Sequence, residues 1–443
     1  MLLDDQSGVY WTTAEKQYAV WEGLKIMGAY GNYWRARGEF NLTVGQSFYD
    51  LSTVLPTLRP RTWTLNQLTQ DIQYACLEAA NGISGVGMSG QISVGSILQA
   101  IARARNQFVL DAHLPLSLLS LPTPPSPTGT VVFDQSTVFL HRVSWQDGFT
   151  SQFTNLWRED AWAIDHADPY WTTTPAQPSK YSESELSPLI LQLAPAPLST
   201  GVLEALAVLS VTINLTNPNA LLQIPDEWVH AIKYAALSDI FGAESQNADP
   251  LRAKYAEMRY QQAIDAAMSA RSVFRLLYGG VPLPIDSLAA IDAAQPYWRN
   301  QAGPPQMAGV LYDYLAFNPG SPDSDYGITA DVVQSAPLPT PSGFIQLGEE
   351  DIDRLLDYAT HIMTFKCGGK EFQSTFAQYD SFMQAVATRG AINKAKIRYL
   401  TSLLGQPQKE EGERPDQLSK EALRSATAAA AQAQSVQTQQ QQR

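Results

Sequence analysis

Asp165 and Asp168, three residues apart, are the closest approach in this chain to a catalytic carboxylate pair. Two such acids can break a glycosidic bond, one as general acid and the other as base or nucleophile. Four tryptophans (Trp145, Trp157, Trp162 and Trp171) fall within 27 residues around them and could stack on sugar rings. The pair, however, has a second copy. Residues 164–171 read IDHADPYW and residues 291–298 read IDAAQPYW, identical at six of eight positions and 127 residues apart. Asp292 is kept there, while Gln295 stands where Asp168 was. What recurs is Asp-x-x-x-Pro-Tyr-Trp, and an Asp closing a turn before Pro accounts for it without catalysis. The tryptophans read as the core of a sandwich together with a protein interface.

Other chemistries fit less well. Gly85, Gly87 and Gly90 satisfy GxGxxG, but a dinucleotide site needs a strand before the loop and an acid at a later strand end. Here a helix precedes, so the segment reads as an interhelical linker. His113, His141, His166, His230 and His361 are scattered, without HExxH or a cysteine at ligand spacing. His230 and His361 read as packed or surface residues. There is no GxSxG, and neither Cys76 nor Cys367 has a neighbouring base that would activate it. Asp323 and Asp325 could hold Ca²⁺ only weakly. Glu349, Glu350, Asp351 and Asp353 crowd the start of a predicted helix, where the dipole favours acids. No catalytic, cofactor or metal residue is therefore assigned, and the chain reads as a non-enzyme.

The doubled element extends well beyond eight residues. Pro178 and Pro305 share an offset, LQLAP (191–195) aligns with LAFNP (315–319) after a three-residue deletion, and Gly201 falls near the equivalent of Gly327. QIPDEW (223–228) then matches QLGEED (346–351), and Tyr234-Ala235 matches Tyr358-Ala359. Landmarks kept in order over about a hundred residues imply a unit used twice, a habit of scaffolds and assembly proteins. The structural motif is therefore Ile164, Asp165, Pro169, Tyr170 and Trp171, with Ile291, Asp292, Pro296, Tyr297 and Trp298.

The elements that must carry these residues can be read from period and caps. Thr12/Glu15 and Thr64/Gln67 are capping boxes, opening helices over 12–36 and from 64 through Ala79. A third helix spans 93–110, so region 1–120 is expected to be all-helical. LPTPPSPTG (121–129) is a stiff Pro-rich connector. Beyond it VVFDQSTVFLHRVSW, FTNLW, AWAID, LILQL and ALAVLSVTINL read as strands of a first antiparallel sandwich-like region, 121–224. Pro225 and Asp249-Pro250 open two helices, the second reaching about Tyr278, in a hairpin over 225–280. A shorter second β-rich region, 281–347, and a second hairpin, 348–404, follow. The fold class is thus α+β: a helical region, then two repeats of sandwich plus hairpin. The Gln- and Ala-rich segment 405–443 is too polar to fold alone and reads as a docking arm.

Bulk properties narrow the partners. At 443 residues the chain suggests two to four folding units. Its net charge of −13, from 30 basic and 43 acidic side chains, argues against wrapping nucleic acid but suits a wall along which DNA slides. Two distant cysteines suggest a reducing compartment during folding. MLLDDQSG is no secretory signal and no apolar run reaches a membrane span's length, so a soluble, cytoplasmically made protein with no membrane partner is expected.

Taken together, ILQAIARARNQFVLDAHLPL (97–116), VFLHRVSW with LWREDAWAID, the PYW-to-LQLAP stretch, IPDEWVHAIKYAALSDIFG and LDYATHIMTFKCGGKEF resemble the head-to-tail adaptor (connector) proteins of tailed bacteriophages. The resemblance runs over most of residues 64–400, in helix, sandwich, helix order. It implies a virion protein in a ring, commonly of twelve copies, that joins portal to tail or nozzle protein. DNA would pass through without sequence-specific contacts. It also implies a C-terminal arm reaching the portal, and it brings no catalytic motif. The second sandwich–hairpin copy and the long Gln-rich tail depart from that family's pattern. A carbohydrate-binding or glycan-hydrolysing virion protein is the competing reading, carried by the tryptophans and by Asp165/Asp168.

Overall fold

The computed structural model describes residues 11–404, apart from 77–91, 124–128, 184–189, 211, 244–247, 271, 321 and 341–342. GxGxxG at 85–90, most of the Pro-rich connector and the 405–443 segment lie outside the described residues. In chain order the elements are α1 (Thr13–Gly31), β1 (Arg35–Leu42), β2 (Phe48–Asp50), α2 (Leu51–Val54), α3 (Leu65–Ala75), α4 (Val94–Ala112), β3 (Leu116–Thr123), β4 (Thr130–Val132), β5 (Thr137–Asp147), β6 (Phe153–Arg158) and α5 (Ala161–Ala167). There follow β7 (Lys180–Glu183), β8 (Ile190–Ala194), β9 (Gly201–Leu209), α6 (Val229–Gly242), α7 (Pro250–Ser269), β10 (Val273–Tyr278), β11 (Val281–Leu283), β12 (Ile285–Ser287) and α8 (Leu288–Ala294). The last are β13 (Met307–Leu311), β14 (Tyr314–Asn318), β15 (Tyr326–Val333), α9 (Glu349–Phe365), α10 (Gly369–Ser374) and α11 (Phe376–Leu404). The class is mixed α+β. Among the described residues, no helix is long and apolar enough to cross a membrane.

The helices gather into one body because each buries an apolar stripe against the others. Both predicted capping boxes are present, Thr12 with Glu15 and Thr64 with Gln67, and each satisfies two otherwise orphaned amides. Leu24, Ile101, Phe108, Trp228, Tyr260 and Phe382 meet in this body's core. α9 comes so close to α1 that a Cβ on Gly23 would stand 2.5 Å from the Leu355 side chain, which would have to shift to admit it.

The strands form two units. In the first, a seven-stranded sheet runs β3-β9-β5-β6-β7-β8-β4. Val131, Val143, Trp145, Leu156, Leu193 and Leu203, from five of its strands, share one core, so the sheet curls around its own interior. In the second, two four-stranded sheets, β1-β15-β10-β11 and β12-β13-β14-β2, enclose Phe40, Tyr49, Leu276, Phe317, Ile328 and Ala330. β11 and β12 are separated by Pro284 alone. Read through that residue, the second order is β1-β15-β10-(β11/β12)-β13-β14-β2, matching the first position for position. The parallel pairs also correspond, β6 with β7 and β12 with β13, the other pairs being antiparallel. The first unit is contiguous and sits in the chain between β2 and β10 of the second, so we call them inner and outer.

Several expectations are corrected. Region 1–120 is not all-helical: β1 pairs with β15 and β2 with β14, so residues 35–50 complete the outer unit, and β3 joins the inner one. Purely antiparallel pairing fails at the two parallel pairs. AWAID is the helix α5, capped by Asp160, whose side chain accepts the Trp162 amide at 2.7 Å. The second hairpin helix of 225–280 stops at Ser269, and 273–278 is β10. ALAVLSVTINL leaves the sheet at Leu209, and Asn214 and Asn217 then accept the amides of Thr216 and Asn219 in Asx turns.

Candidate interaction surfaces

The two octapeptides build the same local structure. A short helix carries the aspartate, α5 for Asp165 and α8 for Asp292, and ends one turn later where the Asp168 and Gln295 amides reach back to the carbonyls of Ile164 and Ile291, both at 2.8 Å. The chain turns at Pro-Tyr, and the tryptophan six residues after the aspartate folds back on it. Trp171 Nε1 donates to Asp165 Oδ1 at 2.6 Å, and Trp298 Nε1 to Asp292 Oδ1 at 2.8 Å. Each tryptophan carbonyl then accepts an amide of the following loop, from Ala196 at 3.0 Å and from Gly320 at 2.8 Å. At Gly320 a Cβ would lie 2.7 Å from the Trp298 ring. Ile164 and Ile291 are buried beneath their helices, and Pro169 and Pro296 are exposed in the turns. The shared aspartate is thus an indole acceptor. The expected turn-closing Asp exists in one copy alone, as Asp168, which accepts the Tyr170 amide at 3.1 Å.

The two copies part company in what covers them. Asp292 is buried against the inner unit, where Arg142 on β5 grips it from both nitrogens (Nε to Oδ2 at 2.8 Å, Nη2 to Oδ1 at 3.0 Å). Arg299, the residue after the motif, reaches Ser144 at 2.8 Å and Glu204 on β9 at 2.9 Å. Its guanidinium lies 3.6 Å from the Phe153 ring centre. Asn300 pairs with both backbone groups of Phe153, at 2.6 and 2.8 Å, as an added strand would. Phe48, Leu116, Leu206, Val208, Trp298 and Tyr314 fill the apolar part of the same contact. β9 therefore turns Leu203, Ala205 and Ala207 into its own core and Glu204, Leu206 and Val208 onto the outer unit. Burial on both faces explains its nearly unbroken apolar sequence.

Asp165 has no such cover. Around it the inner unit shows solvent 51% of Trp157, 80% of Trp162 and 69% of Tyr170, while Trp145 and Trp171 are buried. The tryptophan cluster thus divides between core and surface. On the outer unit the sheet face equivalent to the one Arg142 occupies is exposed along β1, at Arg35, Arg37 and Glu39, and half-buried at Arg275. Arg142 pairs in register with Leu206 and Arg275 with Asp331, and each of those partners lies two residues before the one facing Leu116 or Arg35. Arg275 is the counterpart of Arg142. It and Arg37 (Nε to Oδ1, 2.8 Å) bracket Asp331, whose carboxyl burial pushes up and the two guanidiniums hold below the usual range.

The charges buried in the helical body are of another kind. Tyr234 and Tyr358, matched in the two sequence copies, both donate to Glu22 Oε1 at 2.5 Å. Lys233 bridges Glu22 (2.6 Å) and Asp71 (2.7 Å), and Arg259 donates to Tyr255 and Tyr358 at 2.8 Å each. Burial pushes the Glu22 carboxyl up, but Lys233 and Arg259 outweigh it and hold it down at about 2. His361 lies between Thr375 (2.8 Å) and Tyr255 (2.9 Å), and His230 near Tyr30 (3.4 Å). Burial, helped by Arg259, pushes both imidazoles down to about 3, so they are neutral packing residues. His113 stacks on Phe139, with His141 edge-on, and His166 is exposed on α5. Among the described residues, the clefts lined by Trp11, Tyr18 and Lys233 and by Arg59, Glu227 and Trp228 have room for about 30 and 10 Å³, little beyond water.

The remaining candidates fall into place singly. Asp323 accepts from the Tyr326 hydroxyl, and no group of three metal-type side chains occurs among the described residues. Of the helix-start acids, Asp351 also pairs with Arg389 at 3.2 Å. Cys76 and Cys367 form no disulfide. Sequence reading missed Arg142, Glu204, Arg275 and Arg299. Their one signal was charge placed inside strongly apolar strands or beside Trp298. No protein-family profile matches the chain, and no curated protein matches it.

Proposed function

We propose that this chain is a structural virion protein that forms a ring at the head–tail junction of a tailed phage, joining portal to tail and lining the DNA conduit. The observation that carries the reading is the exposed aromatic face around Asp165, built on the same frame that, around Asp292, joins the chain's two strand units. Exposed indoles of this kind on a rigid support are typical anchors of protein interfaces. The doubled strand unit (inner, residues 116–209; outer, residues 273–333 completed by 35–50) gives each subunit two binding faces. The helical body offers the breadth needed for side-by-side packing, in a ring commonly of twelve. A net charge of −13 keeps DNA from adhering to the channel. Segment 405–443 serves as the arm to the portal, and the opposite rim receives the tail or nozzle protein.

The test is a gold-labelled antibody against the chain on purified particles from its source. Label confined to the head–tail joint is expected. Bare particles, or label on fibres or at the tail tip, would overturn the reading. A sugar-binding role is the one alternative that an observation favours, since Trp157 and Trp162 stand out from the surface. Fluorescence titration of those indoles with oligosaccharides would reveal it.

A further inference from the structure

The chain contains one completed contact and the two halves of another. In the completed contact the outer unit's motif, centred on Asp292, sits on the inner unit's sheet face at Arg142. What is left over is the inner unit's motif face, exposed at Asp165, and the outer unit's sheet face, exposed at Arg35 and Arg37 and half-buried at Arg275. We propose that these halves meet between two copies of this chain, the Asp165 face of one subunit docking on the β1–β15–β10 face of the next. This deepens the ring reading and rests on it.

Three observations support the choice of a second copy as the occupant. The frames match: Asp165 and Asp292 each hold an indole, and Arg275 and Arg142 share one register position. Charge favours the pairing. Glu159 (itself paired with Lys180), Asp160, Asp165 and Asp168 lie on the motif face, and on the sheet face Arg35, Arg37 and Arg275 outnumber Glu39 and Asp331, the latter bracketed by Arg37 and Arg275. The centre has apolar material too, since exposed Val132 and partly buried Ile190 face each other on β4 and β8, the strands equivalent to β2 and β14 that supply Phe48 and Tyr314 within the chain. At the rim the inner unit carries Trp157 and Trp162 where the outer has Pro284 and Ala289, and indoles reach over a partner's guanidiniums as smaller side chains cannot. Because the two faces lie on different units, the contact is heterologous. Such contacts propagate head to tail and close into a ring when the rotation permits.

The test is sedimentation velocity of the full chain over a concentration series, with circular dichroism to confirm folding. Unmodified protein should assemble past the dimer. Asp165→Arg or Arg275→Asp alone should raise the concentration for half-assembly at least about tenfold, and the two combined in one chain should restore it. Rescue by the swap cannot come from misfolding. Trp162→Ser, at an exposed site, should also weaken assembly without altering the spectrum. Assembly indifferent to the single reversals would overturn this docking and leave the ring standing. A chain that stays monomeric at every concentration would remove the ring reading and this contact with it.

Discussion

Residues 164–171 and 291–298 form one structure in two settings. Each aspartate holds an indole six residues on, yet Asp292 is sealed against Arg142 of the neighbouring unit and Asp165 faces water. Local sequence therefore determines the shape of the motif, and position in the assembly determines its energetics. A hydrogen bond at the surface competes with water and contributes on the order of 1 kcal/mol. The same acceptor in a buried ion pair cannot be removed without stranding a charge.

That contrast can be broken first at the aspartates. Asp292→Ala leaves the buried Arg142 without its carboxylate and should cost about 3–5 kcal/mol, read as a lower urea midpoint. Asp165→Ala should cost no more than about 1.5 kcal/mol in the same assay. Equal losses would show that the two copies carry equal loads, and the distinction between a docked and a bare motif would fall.

A second test moves the comparison to the helices that follow each copy. His230 on α6 and His361 on α9 are both buried, with imidazoles pushed down to about 3 by burial first and Arg259 second. A group whose folded value lies below its unfolded value near 6.5 contributes stability that is full above 6.5 and is lost as pH falls toward 3. Each histidine should therefore remove about 2 kcal/mol between pH 6.5 and 5, at about 1.4 kcal/mol per unit. Glu22, held at about 2, adds its own loss only below about 4.5. Replacing either histidine with Gln should flatten the limb between 6.5 and 5 by a similar amount. If denaturation profiles of the two variants kept the full slope, the imidazoles would not be the titrating groups.

Much of this architecture was visible along the chain because its causes are local. Both capping boxes, the hairpin helices and the octapeptides announce themselves within a few residues. What stayed hidden was set by partners far away in sequence. β1 reads RARGEFNL, half polar because one face is open, and nothing in it names β15 nearly three hundred residues later. A five-residue run such as AWAID cannot separate helix from strand by period. Asp160, the cap before it, was the overlooked signal. Arg142 and Asp292, 150 residues apart, look like surface charges until the units are brought together.

The smallest expected effect sharpens the contrast most. Tyr297 remains 61% exposed although its motif is docked, so the tyrosine takes no part in the contact within the chain. Tyr170→Ser and Tyr297→Ser should each change stability by no more than about 0.5 kcal/mol. If the subunit contact repeats the internal one, Tyr170→Ser should also leave the half-assembly concentration where it was, while Trp162→Ser raises it. Loss of assembly in Tyr170→Ser would mean that the neighbouring subunit approaches over the Pro-Tyr turn, at an angle the internal contact does not use. The pseudo-equivalence between the two contacts would then fail, even though both are made by the same motif.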